Sequence, residues 1–351
     1  MHLDDYRTLG RSGLRVSPLT LGAMLFDDPH RGCDRETAFE IMSHYVDAGG
    51  NMIDTANVYA AGRSEETVGA FLASRPGTRD RLVISTKFAS NLFPGDPNGG
   101  GAGRKALMAQ LDDSLRRLGT DYIDLYWLHG HDPHTPLEET VSALDDVVRS
   151  GKVRYVGLSD VPGWAIGRAA TIAEFRGWAP IVALQPEYSL LARSAESEMF
   201  GIARELRLGV TPWSPLAAGV LSGRYTRADR TPRGTARTKA AQARLSERTF
   251  EILDALGAIA ERQDSSVAAV ALAWVLQQPL VTSPIVGVRR TAHLDGALTA
   301  LSVTFAPDEL TALDGLTTPT LAFPYPYLAG TVQLQQAGAT INGVPSRTFQ
   351  H

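Results

Sequence analysis

Eight short runs of β-branched and apolar residues recur along the chain, and each of the first seven is followed by a longer stretch of helical period. No other feature restricts the fold as much. The runs occupy 19–24, 51–54, 82–87, 122–129, 154–159, 181–185, 209–214 and 283–287. The first seven follow one another at roughly 30 residues, the size of a strand–helix unit. A long insertion delays the eighth. Eight such units in 351 residues predict an α/β fold, a (β/α)8 barrel forming one domain over 1–351. A doubly wound sheet would need a G-x-G-x-x-G turn after an early strand, and none follows any of the first strands. The cluster Gly99-Gly-Gly-Ala-Gly103 lies past the third run and reads as a flexible loop. Before the first run, two alternating segments flank Gly10 and Gly13, a pattern that predicts a small β-hairpin over 6–17.

The intervening segments carry their own signals. Ala38, Ile41, Met42, Tyr45 and Val46 share one helical face, with Asp34 placed to cap that helix and Gly49 to end it. Ser64 is placed to cap the next helix. Thr135-Pro-Leu-Glu138 has the form of a capping box with proline at the first helical position. Residues 267–277 form an Ala-rich helix pattern. Two stretches break the rhythm. The segment 224–246, before the eighth strand, holds Arg224, Arg227, Arg230, Arg233, Arg237, Lys239 and Arg244. It is either a solvated loop or a flap over something phosphorylated. The tail 317–351, rich in Pro, Tyr and Gly and without helical period, is expected to pack on or near the barrel mouth.

Composition narrows the function classes. Hydrophobic residues at 44% and charged residues at 21% describe a globular chain rather than a disordered one. A net charge of −4 gives no reason to expect a nucleic-acid partner. The one cysteine, Cys33, excludes an intramolecular disulfide and a cysteine metal cluster. No apolar run reaches the roughly 18 residues of a membrane span. The N-terminus lacks the basic and apolar segments of a signal peptide, so a cytoplasmic protein is expected.

In such barrels the chemistry sits at the C-terminal ends of the strands. The second run ends in Asp54, with Tyr59 five residues on; the third ends in Lys87 and the fourth in His129. A lysine closing an apolar strand is partly buried and needs a partner, which Asp54 on the adjacent strand supplies. An ammonium beside Tyr59 is expected to lower the phenol's pKa, and a tyrosine so placed can give a proton to a developing alkoxide. His129 can hydrogen-bond the same carbonyl oxygen.

The ordered set Asp54-Thr-Ala-Asn-Val-Tyr59, Ser85-Thr-Lys87, Asp124-Leu-Tyr-Trp-Leu-His129, Val156-Gly-Leu-Ser159 and Trp213-Ser-Pro-Leu216 resembles the aldo-keto reductase superfamily, from the hairpin to about Leu316. The resemblance implies NAD(P)H-dependent reduction of an aldehyde or ketone, with Asp54, Tyr59, Lys87 and His129 as the catalytic tetrad. It also implies a dinucleotide site. Ser159, Asp160 and Gln185 would hold the carboxamide and Trp213 would stack on the nicotinamide. Ser214, Leu216 and Gly219 would line the pyrophosphate, and Gly287, Arg289 and His293 would surround the adenosine phosphate. Met24, Asp54 and Arg224 complete the set of implied cofactor contacts. The sequence departs from the family pattern at Asp160, where Asn is common, at Gly296-Ala297, and at His293. Arg289, Arg290 and the basic segment favour NADP over NAD by charge. Substrate choice falls to the loops, where Phe26, Phe88, Phe93, Trp127 and Tyr188 are either pocket wall or core. Two alternatives stand beside the reductase. One is a dinucleotide-binding regulatory subunit with little turnover. The other is a metal-dependent barrel hydrolase built on His129-Gly-His131.

Overall fold

The structure, a computed structural model, describes residues 1–230 and 238–347. Two short strands, β1 (Arg7–Thr8) and β2 (Arg15–Val16), form the N-terminal hairpin. Eight parallel strands follow: β3 (Thr20–Gly22), β4 (Met52–Asp54), β5 (Val83–Phe88), β6 (Ile123–Leu128), β7 (Val153–Ser159), β8 (Ile181–Gln185), β9 (Gly209–Val210) and β10 (Ile285–Gly287). They pair in chain order, with β10 returning to β3. The ring closes where Thr282 N donates to Val210 O (2.8 Å) and Ile285 N donates to Pro212 O (2.9 Å). Every predicted run is a strand, and the fold is the (β/α)8 barrel.

The outer layer comprises α1 (Arg35–Asp47), α2 (Arg63–Ser74), α3 (Arg104–Leu118), α4 (Leu137–Arg149), α5 (Gly163–Arg176), α6 (Met199–Glu205), α7 (Thr238–Gln242), α8 (Glu247–Arg262), α9 (Val267–Leu276), α10 (Thr291–Leu298) and α11 (Pro307–Thr317). The face read for α1 is the buried one, through Ala38, Ile41, Met42 and Tyr45, and Asp34 accepts from Thr37 N as its cap. Two caps are corrected. Ser64 lies inside α2, buried, and its hydroxyl donates to Ala23 O (2.7 Å); a hydroxyl one position into a helix serves whichever acceptor the core offers. Thr135 does not cap α4. Its hydroxyl donates to Asp132, while Glu138 pairs with Arg176, so the box does not form. The tail is corrected too. It contains a helix, α12 (Tyr325–Gln336), and a two-strand ribbon, β11 (Thr340–Ile341) with β12 (Val344–Pro345). No helix among the described residues is long and apolar enough to cross a membrane.

Alternation along the strands decides what fills the barrel. Met52, Val83, Leu125, Trp127 and Ala183 pack in the interior with Leu9 and Val16 from the hairpin. The hairpin therefore stoppers the end of the barrel away from the strand C-termini. Its turn demands glycine at position 10, where φ is +58° and a Cβ would lie 2.5 Å from Val182 O and Gly209 N. A second glycine makes room for the floor of the mouth. A Cβ on Gly157 would stand 2.3 Å from Trp127 Cζ3, so the indole occupies the volume that any side chain on β7 would need.

Candidate active site

The same period of two that packs the interior turns polar at the strand ends. In register, Asp54 pairs with Ser85 and Lys87 pairs with Trp127. Lys87 is 1% exposed. Its ammonium donates to three acceptors: Asp54 Oδ2 (2.5 Å), Thr55 O (2.9 Å) and Tyr59 Oη (3.2 Å). Three protons meet three partners, so the buried cation is fully satisfied. Asp54 Oδ1 in turn accepts from Ser85 Oγ (2.6 Å) and Gln185 Nε2 (3.3 Å).

Tyr59 reaches Lys87 from a turn in which Ala60, Ala61 and Gly62 all have positive φ, at 49°, 56° and 95°. Non-glycine residues there cost of order 1–3 kcal/mol each and persist only where neighbours hold them. Asn57, fully buried, is one such neighbour. Its N donates to Lys87 O, and its Nδ2 donates to Ser90 O (2.9 Å) and Gln110 Oε1 (2.8 Å). His129 lies edge-on to the phenol, with ring centroids 5.8 Å apart.

Electrostatics give each group a protonation state. Burial alone would depress Lys87, but Asp54 and Tyr59 outweigh it and hold the ammonium above its ordinary pKa. Burial raises Tyr59, and the Lys87 charge opposes that rise without cancelling it. The expected lowering is therefore reversed: desolving a phenolate in this pocket costs more than one ammonium at hydrogen-bond distance returns. Burial, aided by the Lys87 charge, lowers His129 to about 3, so its imidazole is neutral at physiological pH, with Nδ1 buried and without a partner. The cluster holds a neutral acid, a neutral imidazole and a fixed cation around one point. That is the equipment for protonating an oxygen as it gains negative charge.

The positions expected to contact a dinucleotide run along the rim from β7 to β10, with Met24 following β3. Ser159 Oγ donates to Gln185 O (3.0 Å), and Trp213 Nε1 donates to Asp160 Oδ1 (3.1 Å). Asp160 has φ +49°, and burial raises its pKa. Beyond Trp213 the backbone is left-handed at Ser214, Ala217, Ala218 and Gly219, in a turn that includes Leu216. Gly219 faces the Arg224 guanidinium. Arg224, Arg289 and Arg290 lie close enough to His293 to lower its pKa after burial has done so, and none has a carboxylate partner among the described residues. Gly287 ends β10, exposed, immediately before them. Three of the five basic side chains described in the segment are otherwise engaged: Arg227 pairs with Asp254, Arg230 with Glu247 and Arg244 with Glu187. Arg233 and Arg237 lie outside the described residues. A strained turn beside three arginines without carboxylate partners among the described residues suits a polyphosphate, so these residues fit a dinucleotide.

The family model for the aldo/keto reductase family matches residues 18–318. The chain belongs to that family. It is a carbonyl-reducing oxidoreductase acting on small molecules, in a family that uses nicotinamide cofactors. Among its relatives, the uncharacterized oxidoreductase YrpG of Bacillus subtilis is 38% identical over 89% of this chain and 95% of its own. Norsolorinic acid reductase B of Aspergillus parasiticus is 35% identical over 95% and 89%. An aryl-alcohol dehydrogenase [NADP(+)] of Phanerodontia chrysosporium is 31% identical over 89% and 86%.

In this aldo-keto reductase the loop aromatics sort unequally. Phe26, Phe88, Trp127 and Tyr188 are fully buried and belong to the core, while Phe93 is 53% exposed. His131 of the H-x-H pair packs against Trp164, and among the described residues no three His, Cys, Asp or Glu side chains gather as metal ligands. Ser85 and Asn57 stand within the quoted motifs but received no role in the sequence reading. Ser85 was legible, because it stands two residues before Lys87 on one strand and so shares its inward face.

Proposed function

We propose that the protein reduces an aldehyde or ketone to the alcohol with NADPH, through Tyr59, Lys87, Asp54 and His129. The observation that carries the reading is the Lys87 ammonium shared between Asp54 and Tyr59. A bound reduced nicotinamide supplies the hydride. Tyr59 gives its phenolic proton to the carbonyl oxygen as that oxygen gains charge, and the phenolate left behind is stabilised by Lys87. A raised phenol pKa keeps Tyr59 protonated before the step, as a proton donor requires. Asp54 fixes Lys87, and neutral His129 orients the carbonyl. Ser159, Asp160 and Gln185 hold the carboxamide. A carboxylate oxygen of Asp160 accepts from the amide nitrogen. Trp213 supports the nicotinamide ring, Ser214, Leu216 and Gly219 border the pyrophosphate, and Met24 and Gly287 complete the wall. Arg224, Arg289 and His293 face the adenosine phosphate. The charge of Arg224, Arg289 and Arg290 favours NADP over NAD, as does the NADP(+)-named relative. The aryl-alcohol and norsolorinic acid relatives support an aromatic carbonyl as the substrate class.

The test is a fluorescence titration with NADPH and with NADH, then absorbance at 340 nm with aldehydes, on wild type and Tyr59→Phe. NADPH is expected to bind more tightly. Tyr59→Phe keeps that affinity and loses roughly 10²–10⁴-fold in turnover. Normal turnover in Tyr59→Phe refutes the proton donor. Dinucleotide binding without reduction of any carbonyl favours the regulatory-subunit alternative.

A further inference from the structure

The side chains assigned to the dinucleotide follow β7, β8, β9 and β10, from Asp160 to Arg289. The loops after β5 and β6, residues 89–103 and 129–136, border the rest of that side of the mouth next to β7, and the start of α5, just past Asp160, adjoins them. Three aromatic rings stand there on successive connections: Phe93, His131 and Trp164. Trp164, the second residue of α5, is 60% exposed, and its indole meets the His131 ring edge-on with centroids 5.4 Å apart. His131 lies two residues beyond His129. The frame beneath them is pinned. Asp132 Oδ2 accepts from Ala102 N (2.8 Å) and Thr135 Oγ1 (2.7 Å), and Oδ1 accepts from His134 N (2.9 Å), so one carboxylate ties the two loops together. A large exposed ring packed against a residue of that pinned frame is suited to recognition.

The geometry points to Trp164, backed by His131, as the platform that receives the ring of an aromatic carbonyl substrate, which makes Trp164 a specificity-determining residue. The inference rests on the carbonyl-reductase reading. The segment 129–131 leads from the His129 ring beside the phenol to the His131 ring beside the indole, and this is the direction in which the substrate is proposed to extend. Aromatic rings favour edge-to-face or offset contact at centroid separations of about 4.5–7 Å. Trp164 and His131 already adopt that spacing, so a substrate ring extends an existing arrangement. A saturated ring of the same bulk gains burial there without the quadrupole contact. The same helix supplies a control: Phe175, at the far end of α5 from the mouth, is 87% exposed.

The experiment compares KM for benzaldehyde and cyclohexanecarbaldehyde, a pair matched in size, in wild type, Trp164→Ala, Trp164→Phe, His131→Ala and Phe175→Ala. Calorimetry with 2-naphthamide, an aryl amide that is not reduced, reads binding apart from turnover. The expected result for Trp164→Ala is a roughly three- to tenfold rise in the benzaldehyde-to-cyclohexanecarbaldehyde KM ratio, with weaker 2-naphthamide binding. His131→Ala moves the ratio the same way, Trp164→Phe largely restores it, and Phe175→Ala leaves it as in wild type. An unchanged ratio, or 2-naphthamide affinity independent of residue 164, overturns the platform. Trp164-dependent 2-naphthamide binding by a protein that reduces neither aldehyde keeps the platform and sinks the reductase reading.

Discussion

Replacing Lys87 with Met retains the aliphatic stem and deletes the charge. Asp54, 2% exposed, then loses its counter-ion in a dry site and keeps Ser85 Oγ and Gln185 Nε2 as its remaining donors. Breaking a buried pair by removing one partner costs about 3–5 kcal/mol. Asp54→Asn, the converse change, strands the ammonium with Thr55 O and Tyr59 Oη and costs a similar amount. Together the two substitutions leave no buried charge. The double variant should therefore lie at least about 2 kcal/mol nearer wild type than the sum of the singles. Asp54→Asn should stabilise the Lys87→Met protein, the opposite of its effect in wild type. Urea unfolding of the four proteins, with slopes compared to confirm two-state behaviour, measures this. Carbonyl reduction should fall in both single variants and stay low in the double, separating stability from turnover. An Asp54→Asn change that destabilises equally in both backgrounds would refute the reading of a desolvated, coupled pair.

Two further outcomes follow from the same interior. Gly157→Ala sets a methyl 2.3 Å from Trp127 Cζ3 and 3.1 Å from Ala183 O, where carbon contacts normally reach about 3.5–4.0 Å. The indole must shift by about 1 Å or more, at a cost of about 1–3 kcal/mol, and a lower melting temperature with reduced turnover is expected because Trp127 is the lateral neighbour of Lys87. A melt identical to wild type would show that the indole has room to spare. For His129, the native pKa of about 3 lies below the unfolded value near 6.5, so the unfolded chain takes up the proton first as pH falls. Its contribution to stability is present above about pH 6.5 and is lost progressively as pH drops toward 3. Urea midpoints from pH 7.5 to 4.5 should fall more steeply for wild type than for His129→Gln, and parallel slopes would contradict a neutral buried imidazole.

The barrel was legible in the sequence because period and length decide it: eight short runs at βα spacing leave few ways to bury both faces of a parallel sheet. The convergence of Asp54, Lys87 and His129 was legible for a related reason, since a polar residue closing an apolar strand has only the rim to occupy. What depends on competition between neighbours was not. The Tyr59 pKa turns on how completely its phenol is desolvated. Thr135 chose Asp132 over a helix amide, and that choice rests on a loop conformation no local pattern encodes. Arg227 and Arg230 read as part of a solvated loop or a phosphate flap, whereas α8 places Asp254 and Glu247 opposite them. Phe88 and Phe93 are five positions apart, yet one is core and the other is surface, because β5 ends at Phe88.

The hairpin's Leu9 and Val16, wedged beneath Trp127, make the barrel a cul-de-sac. On the proposed reading, dinucleotide, carbonyl, product and the proton that returns to Tyr59 would all use the end at the strand C-termini. The ligand that lies deeper must arrive first and depart last. Order of traffic is thereby written into the architecture, at the end of the molecule farthest from any reacting atom.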